Sequence, residues 1–462
     1  MRQHVHRVVI VGGGAGGLEL AARLGRRFGP ENVILIDRAD SHIWKPSLHE
    51  VAAGTLDVHR EALSYFMVAR DCGFTFLHGS IRGIDRDTRH VMLAPVHEAG
   101  GEQIFPARTV PYDTLVLAIG SKSNFFGTPG ASQYAFALDS TADAEHFRQN
   151  ILRALALLNG RRIAKQVDAR AGTPEGGDAA RDAAADDHTA QRKNDALNIA
   201  IVGGGATGVE LAAELVDSLA GLAYYGMEDL HPARDVTITV LEGGDRILPA
   251  LPEKVSSKAQ QLLLERGIIV KTSVRVAVVH PDCLDDSEGH RYPADLCVWA
   301  AGIEAPAILS ELGLEANRRH QIVVDERLQA SDPHILAFGD CAQAPWAGQN
   351  RSLPAKAQVA SQQAAFLYDT MRARIQGHPP GTKAFRFHDH GSLVSMGRSE
   401  GLGSLMGVLF GKRWFVEGLL ARLMYMSLHL RHHLVVLGAV RTGAIALGRM
   451  LLNRGNPRVK LH

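Results

Sequence analysis

Cysteine is scarce in this chain of 462 residues: Cys72, Cys283, Cys297 and Cys341 are the four present. No two of them form a CxxC or CxxxxC pair. That spacing argues against a disulfide framework, a redox disulfide between near neighbours and a zinc knuckle. Four reduced thiols and no metal are expected; a pair formed across space stays open at this point. Net charge is small too, a formal +1, so the molecule as a whole is not steered toward nucleic acid, and no nucleic-acid partner is expected. No run of about 18 apolar residues occurs, so no membrane-spanning helix is expected. The opening MRQHVHRVVIVGGG enters a strand with no apolar stretch before it, which speaks against a secretory signal.

What is present is length and an ordinary globular composition, enough for two or three domains. Residues 7–12 (RVVIVG) form an apolar, β-branched run ending in glycine. The helical stretch LELAARLGRRF follows, then the run NVILID. That is a βαβ unit. A second begins at residues 197–203 (LNIAIVG), continues through GVELAAELVDSLAGLAYY and ends in DVTITVLE. Between them, residues 161–196 are rich in Ala and Asp. They can bury little apolar area and are expected to form a surface insertion.

Each βαβ unit carries a glycine fingerprint. GGGAGG at 12–17 places Gly12, Gly14, Gly16 and Gly17 between strand and helix. Gly12 serves the tight turn, Gly14 the close approach of backbone to a pyrophosphate, and Gly17 the packing of helix on strand. The helix N-terminus offers free N–H groups to the phosphates. Asp37 ends the next strand, suited to a ribose hydroxyl. GGGATG at 203–208 repeats the pattern with Gly203, Gly205, Gly208 and the strand-end acid Glu242. An acid there favours NADH over NADPH, whose 2′-phosphate it repels; Arg246 follows only beyond the strand end. Later runs end in glycine as well: TLVLAIGS with Gly120, DLCVWAAGI with Gly302, and AFGDCA with Asp340 placed for the ribityl or pyrophosphate part of FAD. The expected fold is α/β: two Rossmann-like domains, an FAD domain interrupted by an NADH domain, plus a C-terminal membrane-associating module. The expected boundaries are 1–125 and 291–365 for the FAD domain, 126–290 for the NADH domain and 366–462 for the module.

Together these motifs resemble the two-dinucleotide-binding flavoprotein superfamily. HIWKPSLHEVAAGTLD (42–57), GGGATGVELAAEL (203–215), RILPALP (246–252), AKAQVASQQA (355–364), DHGSLVSMG (389–397) and the closing VKLH narrow it to the bacterial type II NADH dehydrogenases, close to proteobacterial respiratory members. The resemblance covers nearly the whole chain except residues 161–196. It implies a non-proton-pumping NADH:quinone oxidoreductase with non-covalent FAD, NADH as substrate and membrane ubiquinone as acceptor. It also implies a peripheral homodimer on the cytoplasmic face of the bacterial inner membrane.

AQVASQ at 357–362 matches the family's quinone motif. Gln358 and Gln362 share a helix face and offer uncharged hydrogen-bond donors, while Ala357 and Ala360 leave room for a flat ring. Glu210 matches the family glutamate proposed to move a proton toward the quinone; otherwise it is an acid stabilised at a helix N-terminus. Lys45, Pro46, His49 and Glu50 are expected to serve local packing. Residues 412–462 hold nine Lys or Arg and one acid, Glu417. Leu419, Leu423, Leu430, Leu434 and Leu437 fall at helical spacing there, and Trp414 and Tyr425 suit an interface. A basic amphipathic segment of this kind lies on anionic lipid, or else covers a core or a dimer contact. A disulfide reductase lacks its cysteine pair here. A sulfide:quinone reductase would rest on Cys341, and an NADH sensor on the basic tail.

Overall fold

The computed structural model describes residues 5–98, 100–170, 196–224, 230–379, 381–397, 401–406 and 413–452. Two five-stranded parallel sheets dominate. In the first, Val8–Val11 is central, paired with Thr114–Leu117 and Val33–Asp37, while Ile335–Ala337 and Thr75–His78 lie outside. All four residues of VVIV are buried, as a parallel strand covered on both faces requires. The crossover helix Ala15–Phe28 buries Leu18, Leu20, Ala21, Ala22 and Leu24. It stops at Gly29, whose positive φ of 83° suits glycine alone among ordinary residues.

The second sheet repeats the first. Leu197–Val202 is central between Leu296–Trp299 and Val236–Leu241, with Ala135–Phe136 and Ile269–Lys271 at the edges. Helix Ala206–Tyr224 is its crossover. Each half also carries a three-stranded antiparallel excursion. One is built from Ile81–Asp85, His90–Leu93 and Arg108–Pro111, the other from Val276–Val279, Cys283–Asp286 and Arg291–Pro293.

Two expected boundaries are corrected by this topology. A return to the first domain at residue 291 is too early, because Leu296–Trp299 is hydrogen-bonded into the second sheet; the chain rejoins the first sheet at Ile335–Ala337. A boundary at 365/366 would cut helix Ala357–Ile375. The first residues of the expected insertion continue helix Thr141–Arg170, where Arg162 pairs with the buried Asp235. Residues 171–195 lie outside the described residues.

The C-terminal part forms a three-stranded antiparallel sheet, Gly391–Ser395, Gly401–Met406 and Arg413–Glu417, followed by helices Gly418–Leu437 and Ala439–Leu452. It does not stand apart as a separate module. Val436 is part of the first core, and His432 and His433 are buried. The Arg26 guanidinium donates to the carbonyls of Val435 (2.8 Å) and Val436, and the Cys72 thiol donates to Val436 O at 3.3 Å. These contacts satisfy carbonyls that a helix end otherwise leaves unpaired. The opposite face stays open: Leu428, Leu434, Val440 (87% exposed) and Leu447 are solvent-facing. Leu430 is half-buried and Leu437 packs on the first core. The side chains of Trp414, Leu419, Leu423 and Tyr425 lie outside the described residues. Among the described residues no helix is long and apolar enough to cross a membrane.

Candidate functional site

Both glycine loops are locked by contacts that admit no side chain. Gly12 and Gly203 have φ of 107° and 110°. A Cβ on Gly12 would run into the backbone at Ala118 and Ile119, and one on Gly203 into Ala300 and Ala301. Each loop is therefore seated on the glycine-terminated strand beside it, LAIG in one half and WAAG in the other. This is why the two motif types recur as a pair. Gly17 and Gly208 sit against the carbonyl oxygens of Gly12 and Gly203, and Gly16 lies against the Phe338 ring. Gly14 and Gly205 are different: a Cβ on either meets nothing within 4 Å. That open space lies over the helix N-termini Ala15 and Ala206, where unpaired N–H groups favour an anion.

The strand-end acids anchor these loops. Asp37 accepts from Gly13 N (2.6 Å) and Ala39 N (2.8 Å). Glu242 accepts from Gly204 N (2.6 Å) and Gly244 N (2.7 Å). A carboxylate has about four acceptor directions, so each acid keeps capacity for a ribose hydroxyl. Burial raises the Asp37 pKa above the ordinary carboxylate value, against the pull of its N–H donors. Arg246 is spent on RILPALP itself, donating to Leu248, Pro249 and Leu251 carbonyls.

Asp340 follows Ile335–Ala337 and accepts from the Ser121 hydroxyl at 2.8 Å, while its carbonyl accepts from Gln321. A cavity of about 530 Å³ opens here, lined among others by Ser121, Glu304, Asn317, Arg318, Gln321 and Asp340. Gly120, with φ of 72° and open space at its Cβ position, stands beside it in the sequence. Gly302 (φ 78°) packs on the Phe126 ring. The first half thus presents what an extended dinucleotide needs: an anion-binding turn, a strand-end acid, and a polar cavity at a second strand end. FAD fits these residues.

All four cysteines are free and buried. Cys341 donates to the Phe338 carbonyl at 3.2 Å, and burial pushes its thiol up to about 11. Burial pushes Cys297 to about 12. Thiols held protonated in this way are poor nucleophiles, which leaves nothing for a sulfide or disulfide reaction to use at these positions.

Glu210 lies on Ala206–Tyr224 and is only 6% exposed. Its Oε1 accepts from Ser395 N at 3.0 Å, and His49 Nδ1 lies 3.6 Å from Oε2. Burial raises Glu210 to about 8, with Glu50 and Glu214 pushing the same way. Burial lowers His49 to about 4. At neutral pH the contact is therefore between a carboxylic acid and a neutral imidazole. His49 was expected to serve packing alone; the short helix Leu48–Ala53 instead brings it from the first half of the chain into the second core.

Gln358 and Gln362 do share one face of Ala357–Ile375, and that face is turned to residues 388–391. Gln358 Nε2 donates to Asp389 Oδ1 (3.1 Å) and Gly391 O (2.9 Å), and its Oε1 accepts from His390 N (3.3 Å). Gln362 exchanges two hydrogen bonds with the His388 backbone, at 2.8 and 3.0 Å. Strand Gly391–Ser395 thus joins the glutamine pair at one end to Glu210 at the other. Sequence reasoning missed Gln363, which is buried and accepts from Gly339 N at 2.9 Å beside Asp340.

Two parallel sheets, each with a glycine loop, a strand-end acid and a glycine-ended neighbour, define a two-dinucleotide oxidoreductase. The pyridine nucleotide-disulphide oxidoreductase family model matches residues 6–364. A type II NADH:quinone oxidoreductase of Haemophilus influenzae is 38% identical over 98% of this chain and 99% of its own. One from Staphylococcus aureus is 26% identical over 88% and 91%. The solved structure of NDH2 from Plasmodium falciparum in complex with NADH has a TM-score of 0.77, covering 99% of this chain and 100% of that one, at 17% identity; the likeness there is one of fold. The chain belongs to the pyridine nucleotide-disulphide oxidoreductase family and, within it, to the type II NADH:quinone oxidoreductases.

Proposed function

We propose that this chain oxidises NADH and reduces a membrane quinone, ubiquinone by preference, through non-covalently bound FAD and without pumping protons. The observation that carries it is the duplicated loop-and-acid unit with the buried acid Glu210 on the crossover helix of the second. In this reading Gly12, Gly14, Gly16, Gly17 and Asp37 hold the FAD pyrophosphate and ribose, with Gly120 and Asp340 at its ribityl end. Gly203, Gly205, Gly208, Glu242 and Gly302 hold NADH. The chemistry supplied by a bound FAD is acceptance of a hydride from NADH and delivery of two electrons to a quinone.

The protein's own part includes a proton. NADH and quinone become NAD⁺ and quinol only if one proton is added to the two electrons and one proton that a hydride carries. Glu210, a carboxylic acid at neutral pH, is the donor we assign. Gln358 and Gln362 hold segment 388–391 and, through it, the quinone end; one Gln362 N–H has no partner among the described residues and is available to a quinone carbonyl. The exposed apolar face of the two last helices and the basic residues of 412–462 seat the protein on anionic lipid. We place it as a peripheral homodimer on the cytoplasmic face of the bacterial inner membrane.

Steady-state oxidation of NADH and NADPH with ubiquinone and menaquinone analogues, in the presence of anionic lipid, tests the assignment. NADH should give the higher kcat/KM, because Glu242 meets the 2′-position and Arg246 is tied down. A preference for NADPH, or no quinone dependence, would overturn it.

A further inference from the structure

A file of buried polar groups runs from helix Gly418–Leu437 to the first glycine loop. The Gly13 carbonyl accepts from the Tyr65 hydroxyl at 2.7 Å and pairs with His42 Nδ1 at 3.0 Å. His42 Nε2 lies 2.9 Å from His432 Nε2, and His432 Nδ1 lies 3.0 Å from Glu19 Oε1. Glu19 Oε2 accepts from the Ser361 hydroxyl at 2.8 Å. Glu19 and His432 are each 1% exposed and His42 is 3% exposed. The Trp44 ring packs on His432, His429 and His433 stand nearby, and the charges of Arg23 and Arg431 act on Glu19.

The carbonyl at one end fixes the direction of every bond. A carbonyl only accepts, so His42 carries its hydrogen on Nδ1. Burial keeps His42 neutral, so its Nε2 is an acceptor, and His432 must carry a hydrogen on Nε2. One more hydrogen then lies between His432 Nδ1 and Glu19. Burial raises the Glu19 carboxyl, against the pull of Arg23 and Arg431, and burial lowers His432. Every group in the file has a hydrogen-bond partner, as a site this dry requires.

The far end of the file is a ligand-facing peptide. Across one planar trans peptide the C=O and N–H point in opposite directions. Holding the Gly13 carbonyl inward therefore points the Gly14 N–H the opposite way, outward from the file. Asp37 holds the Gly13 N–H as well, so the peptides on both sides of Gly13 are fixed. We infer that His432, with Glu19 and His42, is a positioning group of the flavin site. The C-terminal helix supplies, through this file, the hydrogen bond that aims the pyrophosphate-binding amide. The helix proposed to meet lipid on one face thus completes the flavin loop with the other. This rests on the first loop being the FAD loop.

The test is the FAD dissociation constant of the full-length protein, read from the fluorescence of released flavin, for H432Q and H432L. Glutamine offers N–H donors and a carbonyl acceptor without charge; leucine fills the volume with neither. H432L should weaken FAD binding about tenfold or more, since a buried acceptor loses its donor, while H432Q stays within about threefold of the wild type. Both apoproteins should fold, with H432L melting somewhat below H432Q because the same acceptor is left unpaired. H432L binding FAD as tightly as wild type, or H432Q binding as weakly as H432L, overturns the inference. E19Q and E19L give the same comparison should H432L not fold. Gly14→Val separates the two levels: its Cβ meets no protein atom, so it should abolish FAD binding if the first loop is the flavin loop, whatever His432 does. Tight FAD binding by Gly14→Val would overturn the underlying assignment instead.

Discussion

At Glu210, loss of water outweighs the one backbone N–H that favours the charged form. The carboxyl consequently titrates near 8, not near 4.5. If it delivers the proton, quinone reduction should fall as pH rises through about 8. Glu210→Gln should slow quinone reduction by about 10²–10⁴-fold while reduction of the flavin by NADH is little changed; rapid-mixing measurement of each half-reaction checks this. Equal kinetics in both half-reactions would remove the proton role. The same shift has a sign for stability. The folded state binds the extra proton between about 4.5 and 8, so Glu210 stabilises the fold most below that window, and its contribution is lost as pH rises through it. Melting temperature should therefore decline with pH across this range in the wild type more than in Glu210→Gln.

Strand Gly391–Ser395 is the element that ties the glutamine pair to Glu210. Its first residue and the turn before it are clamped by Gln358 and Gln362, and its last residue donates to Glu210. Replacing both glutamines by alanine breaks five hydrogen bonds to this segment. The double variant should impair quinone reduction far more than reduction of FAD by NADH. Equal loss in both would mean that the pair serves the fold alone. At the same scale, the sequence made some elements legible and hid others. The glycine loops could be read because their spacing is local and each glycine answers a steric demand of its own strand and helix. The strand-end acids were legible as acids, whereas their bonds to Gly13 and Gly204 needed the turn itself.

Across the whole molecule, what sequence could not show is what the fold brings together from far apart. His42 and His432 are 390 positions apart and Glu19 and His432 are 413; no periodicity signals such a contact. His49 looked like packing because its partner Glu210 lies on the crossover helix of the other sheet. The same blindness set the boundary at 291 too early, since DLCVWAAGI reads alike as an end strand of either sheet. It also made the C-terminal helices look like a detachable module, because a helix with one buried and one exposed face has the same pattern whether its apolar side meets lipid or core. Here one face meets the core, so deleting residues 412–462 would also strip Val436 from the first core. A cleaner test charges only the open face. The triple variant Leu434→Glu, Val440→Glu and Leu447→Glu should lose co-sedimentation with anionic vesicles and keep its fold. Undiminished binding would send the lipid contact elsewhere.

The central claim is that electrons entering from NADH leave to a quinone. Under anaerobic conditions the purified holoenzyme is mixed with one equivalent of NADH, then with a soluble ubiquinone analogue, and the visible flavin absorption is followed. Fast bleaching by NADH and equally fast return on adding the quinone are expected, at rates that account for steady-state turnover. Bleaching without a fast return, or a return far slower than turnover, would contradict it.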